Sequence, residues 1–242
     1  MEPRILVVDS VGAVGANNED LEKAIDRVDK SRMYEDLSTI IICPTRGTFP
    51  TRVVQSWMKL MKPMNQLVAG PIFAESMKVD AAYNALIEYI LGNEYLSKFK
   101  YVLTIEEDNL PPVDGLIKLY KSMDKYDVVG GLYWAKSEGG FPMIFGDPKS
   151  EGFDMRPQLP RYGEVQEANG LGMGFNLFKL DIFKKMPGPW FETVEAEIPW
   201  EGVQQRTQDL SFYIKAGKAG YKFACDNTVL VGHYDSKTDK VW

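Results

Sequence analysis

The chain has 242 residues, of which 45% are hydrophobic and 26% charged, and its 28 Lys+Arg against 34 Asp+Glu give a formal net charge of -6. This is enough chain for one large domain with a real core, and its average composition excludes a disordered, collagen-like or coiled-coil protein. The mild acidity offers no general grip on nucleic acid or anionic lipid. Two cysteines and a single histidine, His233, exclude a zinc finger, a His dyad and a multi-His metal cage.

Short apolar runs alternate with amphipathic stretches, which is the pattern of an α/β protein. Ile5 to Val8 reads as a first strand and Glu19 to Asp36 as a helix, with Leu21, Ala24, Ile25 and Val28 on one face. Thr39 to Cys43 reads as a buried strand, followed by the Pro- and Gly-punctuated loop PTRGTFPTR and a helix from about Pro50 to Met61. A short strand near Gln66 to Ala69 precedes a helix at Val79 to Leu91, and Tyr101 to Ile105 reads as a fully buried strand with acids directly behind it. Pro111 and Pro112 end that strand and open a helix carrying Leu116, Ile117 and Tyr120. Strand-like runs follow at Asp127 to Trp134, Met143 to Phe145 and Met173 to Phe178, then a helix at Gln208 to Ala219 and a last strand near Tyr221 to Cys225. Residues 236–242 read as a polar tail. The apolar N-terminal core is too short for a signal peptide, and no run approaches the roughly 20 residues that span a bilayer. The expectation is therefore a soluble, cytoplasmic protein, with Cys43 and Cys225 as small buried hydrophobes in a reducing compartment.

Four groups of residues carry chemistry. Glu106, Glu107, Asp108 and Asn109 follow the strand Tyr101 to Ile105, at the end where open α/β sheets bind ligands. Strand alternation would turn Glu106 and Asp108 to one ligand and Glu107 away from it, and such carboxylates suit Mg2+ or Mn2+. On local grounds, Asp108 or Asn109 serves equally well as a helix cap. Pro44, Thr45, Arg46 and Gly47 form a loop whose N–H groups and Arg46 fork suit a phosphate, although the same residues make an ordinary surface turn. Gly12 to Gly15 reads as a turn only. Asp209, in the first turn of its helix behind Thr207 and Gln208, is kept ionised by the helix dipole and can act as a base or simply stabilise the helix. His233 alone is as well explained by structural hydrogen bonding as by metal ligation.

In their order along the chain, from about Ile40 to His233, these pieces resemble the GT-A fold glycosyltransferases, particularly the small inverting enzymes of the family 2 type and their phage-like relatives. Ile42-Cys43-Pro44-Thr45-Arg46-Gly47 is similar to the family's strand and nucleotide loop, and Tyr83-Asn84 stands where an Arg-Asn pair is usual. Glu106-Glu107-Asp108-Asn109-Leu110-Pro111-Pro112 resembles the metal-binding D-x-D followed by x-x-P-P, with Glu106 replacing the first Asp. Gly170 to Phe175 resembles the glycine-rich strand entry, Pro189-Trp190-Phe191 the P-W-F segment, Gln208-Asp209 the catalytic E-D, and Gly232-His233 the late G-H.

The resemblance implies a GT-A-like, Rossmann-type three-layer sandwich with a mixed central sheet over residues 38–235, behind an N-terminal extension of strand plus helix at 1–37. It implies Asp209 as general base, Asp108 and His233 as ligands of Mn2+ or Mg2+, and Glu106 at the ribose or behind a water. Pro44, Thr45, Arg46, Asn84 and Glu107 would complete the nucleotide-sugar site. Gly172, Met173, Gly174, Trp190 and Gln208 would flank donor or acceptor sugar. The implied activity is metal-dependent transfer from a nucleotide-sugar, with a UDP-sugar as first choice, to an acceptor hydroxyl with inversion; the acceptor and the oligomeric state stay open. Trp190 to Trp200 suggests a mobile lid, and Trp134, Trp190 and Trp200 offer faces for stacking on sugars as well as for core packing. A sugar-1-phosphate nucleotidyltransferase is the nearest rival, although PTRGTFPTR lacks its G-x-G-x-R loop. A non-catalytic sugar-nucleotide-binding protein fits the departures at Glu106 and Gln208.

Overall fold

The computed structural model describes residues 35–150, 154–195 and 205–242. The expected strand Ile5–Val8, the turn at Gly12 to Gly15, all but the last two residues of the helix Glu19–Asp36, and residues 196–200 of the expected lid, Trp200 among them, fall outside the described residues.

Residues from Leu37 onward belong to one compact unit. Its first strand is β1 (Thr39–Thr45), whose β-branched run Thr-Ile-Ile-Ile is buried from end to end. The side chains alternate between two cores. Ile40 and Ile42 join Tyr83, Ile87, Phe183 and Phe212 on one face, and Ile41 and Cys43 join Leu116, Leu119 and Tyr120 on the other. A strand buried on both faces is the middle layer of three. The remaining strands of its sheet are β2 (Val68–Glu75), β3 (Tyr101–Ile105), β5 (Val128–Leu132), β7 (Val165–Ala168), β9 (Phe175–Lys179) and β12 (Phe223–Leu230). The seven lie in the order β2-β1-β3-β9-β5-β12-β7. β1 pairs in parallel with β2 and β3, β9 runs antiparallel to β3 and β5, β12 is parallel to β5, and β7 is antiparallel to β12. The sheet is therefore mixed.

Helices α1 (Thr51–Met58), α2 (Val79–Gly92), α3 (Gly115–Tyr120), α4 (Asp181–Lys185) and α5 (Gln208–Lys218) make the crossovers. In α2, Ala82, Tyr83, Leu86, Ile87 and Ile90 are buried as one stripe, the spacing of a helix lying on a sheet. α3 covers the opposite face with Leu116, Leu119 and Tyr120. Among the described residues no helix is long and apolar enough to cross a membrane.

Beside the main sheet, β4 (Asn109–Leu110), β13 (Gly232–Asp235) and β14 (Lys240–Val241) form a three-stranded ladder, and β6 (Ile144–Phe145) pairs with β8 (Gly170–Leu171). Residues 236–242, polar in composition, thus include a paired strand; backbone pairing, indifferent to side-chain polarity, holds them. His233 and Trp242 exchange backbone N–H···O bonds of 3.0 Å each. β10 (Val194–Glu195) and β11 (Gln205–Arg206) pair antiparallel.

Candidate functional site

The parallel strands β1, β3, β5 and β12 all end at one edge of the sheet. β1 is the switch point, with β2 on one side and β3 on the other, and the crevice outside such a point is where open α/β sheets hold ligands. That crevice is a cavity of about 340 Å³ lined by Pro44, Thr45 and Arg46 after β1, Met77 and Val79 after β2, and Glu106, Glu107 and Asp108 after β3.

β3 ends at Ile105, and the three acids form a turn closed by Asn109 N–H donating to the Glu106 carbonyl at 3.0 Å. Strand alternation therefore does not govern them, and each carboxylate has its own direction. Glu107 is buried and turned to the β1 loop: it accepts from the Thr45 hydroxyl at 2.8 Å, the Arg46 N–H at 2.8 Å and the Arg46 guanidinium. The Thr45 hydroxyl in turn accepts from Gly47 N–H at 2.9 Å. Glu107 thus sets the loop's shape, and the Arg46 side chain stays largely exposed.

Glu106 accepts from the Tyr83 hydroxyl at 3.2 Å. Burial, with the charges of Asp108 and Asp209 added, pushes its carboxyl up to about 8 against the opposing effects of Tyr83 and Lys136. At neutral pH Glu106 is therefore mostly protonated. Asp108 goes the other way: burial alone would raise it, but His233 and Lys136 outweigh burial and hold it at about 2. Lys136 donates to Asp108 Oδ2, and His233 Nε2 lies 3.7 Å from Oδ1.

The His233 ring is fixed in tautomer. Its Nδ1 sits 2.7 Å from the Trp134 carbonyl, which can only accept, so Nδ1 carries a proton and Nε2 is the ring nitrogen that faces Asp108. Asp108 Oδ1 is buried without a hydrogen-bond partner. An orphaned carboxylate oxygen opposite an imidazole Nε2, with the far ring nitrogen tied to a carbonyl, is a donor pair that could hold a cation, and its N/O mixture would suit Mn2+ better than Mg2+. Among the described residues no group of three or more His, Cys, Asp or Glu side chains converges in this way, so further ligands would come from substrate or water.

α5 runs back to the start of β12, which brings its N-terminus and Asp209 to the same edge. Asp209 is buried, and burial raises its carboxyl above 3.8 against the Thr207 hydroxyl and the Leu210 N–H, the latter at 2.8 Å. The sequence argument expects the helix dipole to dominate here; desolvation is the larger effect. Gln208 beside it is half-buried. Gly172, Met173 and Gly174 lead into β9 over the Tyr133 ring. Gly174 N–H donates to the Tyr133 hydroxyl at 3.0 Å, a Cβ on Gly172 would overlap that hydroxyl, and one on Gly174 would lie 2.8 Å from the Asn109 amide. The two glycines are there because the backbone lies directly on these side chains. Met173 is buried in the core, and its carbonyl accepts from Thr104 at 2.9 Å.

Two expected site residues are engaged in packing. Asn84 accepts from Trp190 N–H at 2.9 Å and Phe191 N–H at 3.2 Å and donates to the Phe191 carbonyl at 2.7 Å, clamping the Pro189 segment onto α2. Trp190 is buried, donates to the Met186 carbonyl at 2.8 Å and packs edge-on against Phe183. Trp134 stacks on Tyr162, with centroids 6.4 Å apart. Sequence reasoning did not reach Lys136, Tyr133, Met77 or Val79. Only Tyr133, an aromatic closing a buried strand, carries any signal; a lysine before a Gly-Gly turn carries none.

No known family model and no curated protein matches the sequence. Solved structures do resemble it. A197 from STIV matches with a TM-score of 0.59 at 16% identity, over 84% of this chain and 92% of that one. GalNAc-T7 with UDP, GalNAc and Mn2+ gives 0.53 at 11% identity, over 83% of this chain and 44% of that one, so this chain spans less than half of that length. S. aureus TarS 1-349 in complex with UDP-GlcNAc gives 0.41 at 13% identity, over 80% and 58% of the two chains. The likeness to A197 and GalNAc-T7 establishes the fold alone, which is the GT-A-like α/β sandwich with a mixed central sheet that the sequence resemblance implies.

Proposed function

We propose that the chain is a metal-dependent glycosyltransferase that moves a sugar from a nucleoside-diphosphate sugar, with a UDP-sugar as favoured donor, to an acceptor hydroxyl with inversion. The observation that carries this reading is the approach of orphaned Asp108 Oδ1, which lines the β1/β3 crevice, to His233 Nε2 at 3.7 Å. That GalNAc-T7 shares the fold and was solved with UDP, GalNAc and Mn2+ supports it.

Asp108 and His233 would hold the cation, which when bound supplies Lewis-acid stabilisation of the diphosphate leaving group. The β1 loop, shaped by Glu107, receives the nucleotide between Met77 and Val79. Protonated Glu106 is a neutral hydrogen-bond donor toward a ribose or phosphate oxygen, where an ionised acid would repel. Asp209 takes the acceptor hydroxyl's proton as that oxygen bonds to the anomeric carbon and the bond from that carbon to the phosphate oxygen breaks, the electron pair leaving with the diphosphate. Burial raises Asp209, and a carboxylate of raised pKa is the stronger base. Gly172 to Gly174 and Gln208 border the space left for the sugars.

The test is Mn2+-dependent hydrolysis of UDP-sugars, with nucleotide binding measured alongside. Asp209→Asn is expected to abolish turnover with UDP affinity intact, and Asp108→Asn to abolish the Mn2+ dependence of UDP binding. Wild-type protein that neither turns over nor binds any nucleotide-sugar with Mn2+ overturns the reading.

A further inference from the structure

Lys136, paired with Asp108 of the crevice, is a cation to which the proposed chemistry gives no task. It follows β5 on a short turn closed by Ala135 N–H to the Phe141 carbonyl at 3.0 Å and Gly140 N–H to the Ser137 carbonyl at 2.9 Å. Gly140 lies so close to the Ala135 carbonyl that no side chain fits there, and Glu138 at the tip lies 3.7 Å from Lys240 of β14. The turn is therefore anchored at base and tip, and its lysine is directed at Asp108. The Asp108 carboxylate is shared unevenly: Oδ2 takes the ammonium, while buried Oδ1 has no partner and faces His233. The charge of Lys136 also reaches Glu106 and Asp235. An ammonium in this place does in the free protein what a divalent cation would do, balancing a buried carboxylate.

We propose that Lys136 is the resident counter-ion of the Asp108 site: it contends with the divalent cation in the free protein, and a nucleoside diphosphate releases it by giving its ammonium a phosphate oxygen instead. This rests on the reading of Asp108 and His233 as cation ligands. The consequence is ordered assembly. The free protein binds Mn2+ weakly, and the diphosphate binds with the metal because it supplies anionic oxygens to both cations at once. The ammonium has room for this change, since the Lys136 side chain is 27% exposed. Lys136 is a positioning residue in this scheme, setting which cation Asp108 holds and when.

The test is Mn2+ binding followed by electron paramagnetic resonance of the free ion, with wild type, Lys136→Met, Lys136→Gln and Lys136→Arg, each with and without UDP. In both neutral variants Mn2+ should bind at least about tenfold more tightly than in wild type without nucleotide, because a unit charge has left the carboxylate. Both should also lose most of the gain in Mn2+ affinity that UDP gives wild type, and Lys136→Arg should keep the wild-type pattern. Neutral variants that bind Mn2+ no more tightly than wild type without UDP overturn the proposal. Absence of Mn2+ binding in every protein, with or without UDP, overturns the cation reading of Asp108 itself, a different failure from binding that is indifferent to residue 136.

Discussion

Replacing Glu106 with Gln tests the electrostatics of the crevice without any substrate. Gln keeps the shape and can still accept from the Tyr83 hydroxyl that lies 3.2 Å away, but it carries no charge. In the folded chain Glu106 loses its proton near pH 8 against an ordinary 4.5, because burial and the charges of Asp108 and Asp209 disfavour the anion. Below pH 4.5 the group is protonated folded and unfolded, so wild type and variant should be about equally stable. As pH rises from 4.5 toward 8 the unfolded chain ionises and the folded one does not; the folded state binds more protons, and wild-type stability falls relative to the variant. At about 1.4 kcal/mol per pH unit the whole interval is worth about 5 kcal/mol, an upper bound for a crevice open to water. Solvent screening reduces the expected gain to about 2–3 kcal/mol, reached as a plateau above pH 8. The assay is urea unfolding of both proteins in EDTA across this range. A difference that stays flat with pH, or a variant less stable than wild type above pH 8, refutes the assignment of Glu106 as a buried, charge-crowded acid.

Two further substitutions test the scaffold under the site. Asn84→Ala removes three hydrogen bonds to the backbone of Trp190 and Phe191 and should cost about 2–3 kcal/mol in urea unfolding; a cost below about 0.5 kcal/mol would mean that the clamp is not formed. Gly172→Ala pushes a methyl group into the Tyr133 hydroxyl and should cost about 1–3 kcal/mol, less in a Tyr133→Phe background where that oxygen is gone. Strict additivity of the two changes would show that they do not touch.

What the sequence discloses of this molecule divides along the strength of the physical signal. Tyr101 to Ile105 is legible to the residue because a largely apolar run ends abruptly in three acids, and the start of α2 at Val79 follows from its apolar stripe. β7 and the two-residue β8 are not legible: Val165 to Ala168 is an edge strand with polar residues, and its backbone pairing with β12 leaves no mark in composition. β12 runs on to Leu230, five residues past the expected end, because Asp226 and Asn227 are buried with partners and do not stop the strand: Asp226 accepts from Thr228 N–H at 2.9 Å, and Asn227 donates to the Arg161 carbonyl at 2.9 Å. The candidate site divides the same way. The order of motifs is enough to suggest Asp108 with His233, 125 positions apart, and their separation of 3.7 Å is a consequence of β4 pairing with β13, where His233 lies opposite Asn109. Asn84, Glu107 and Trp190 stand at the motif positions but spend their hydrogen-bonding groups on the protein itself, at the backbone of 190–191, the β1 loop and the Met186 carbonyl. A motif match records where a residue stands along the chain; whether its side chain faces a ligand depends on neighbours that arrive from elsewhere in the sequence. Lys136 is the converse case. Nothing local marks it, yet the turn after β5 sets its charge on Asp108, and the behaviour of Asp108 toward a cation follows from that lysine as much as from the acid itself.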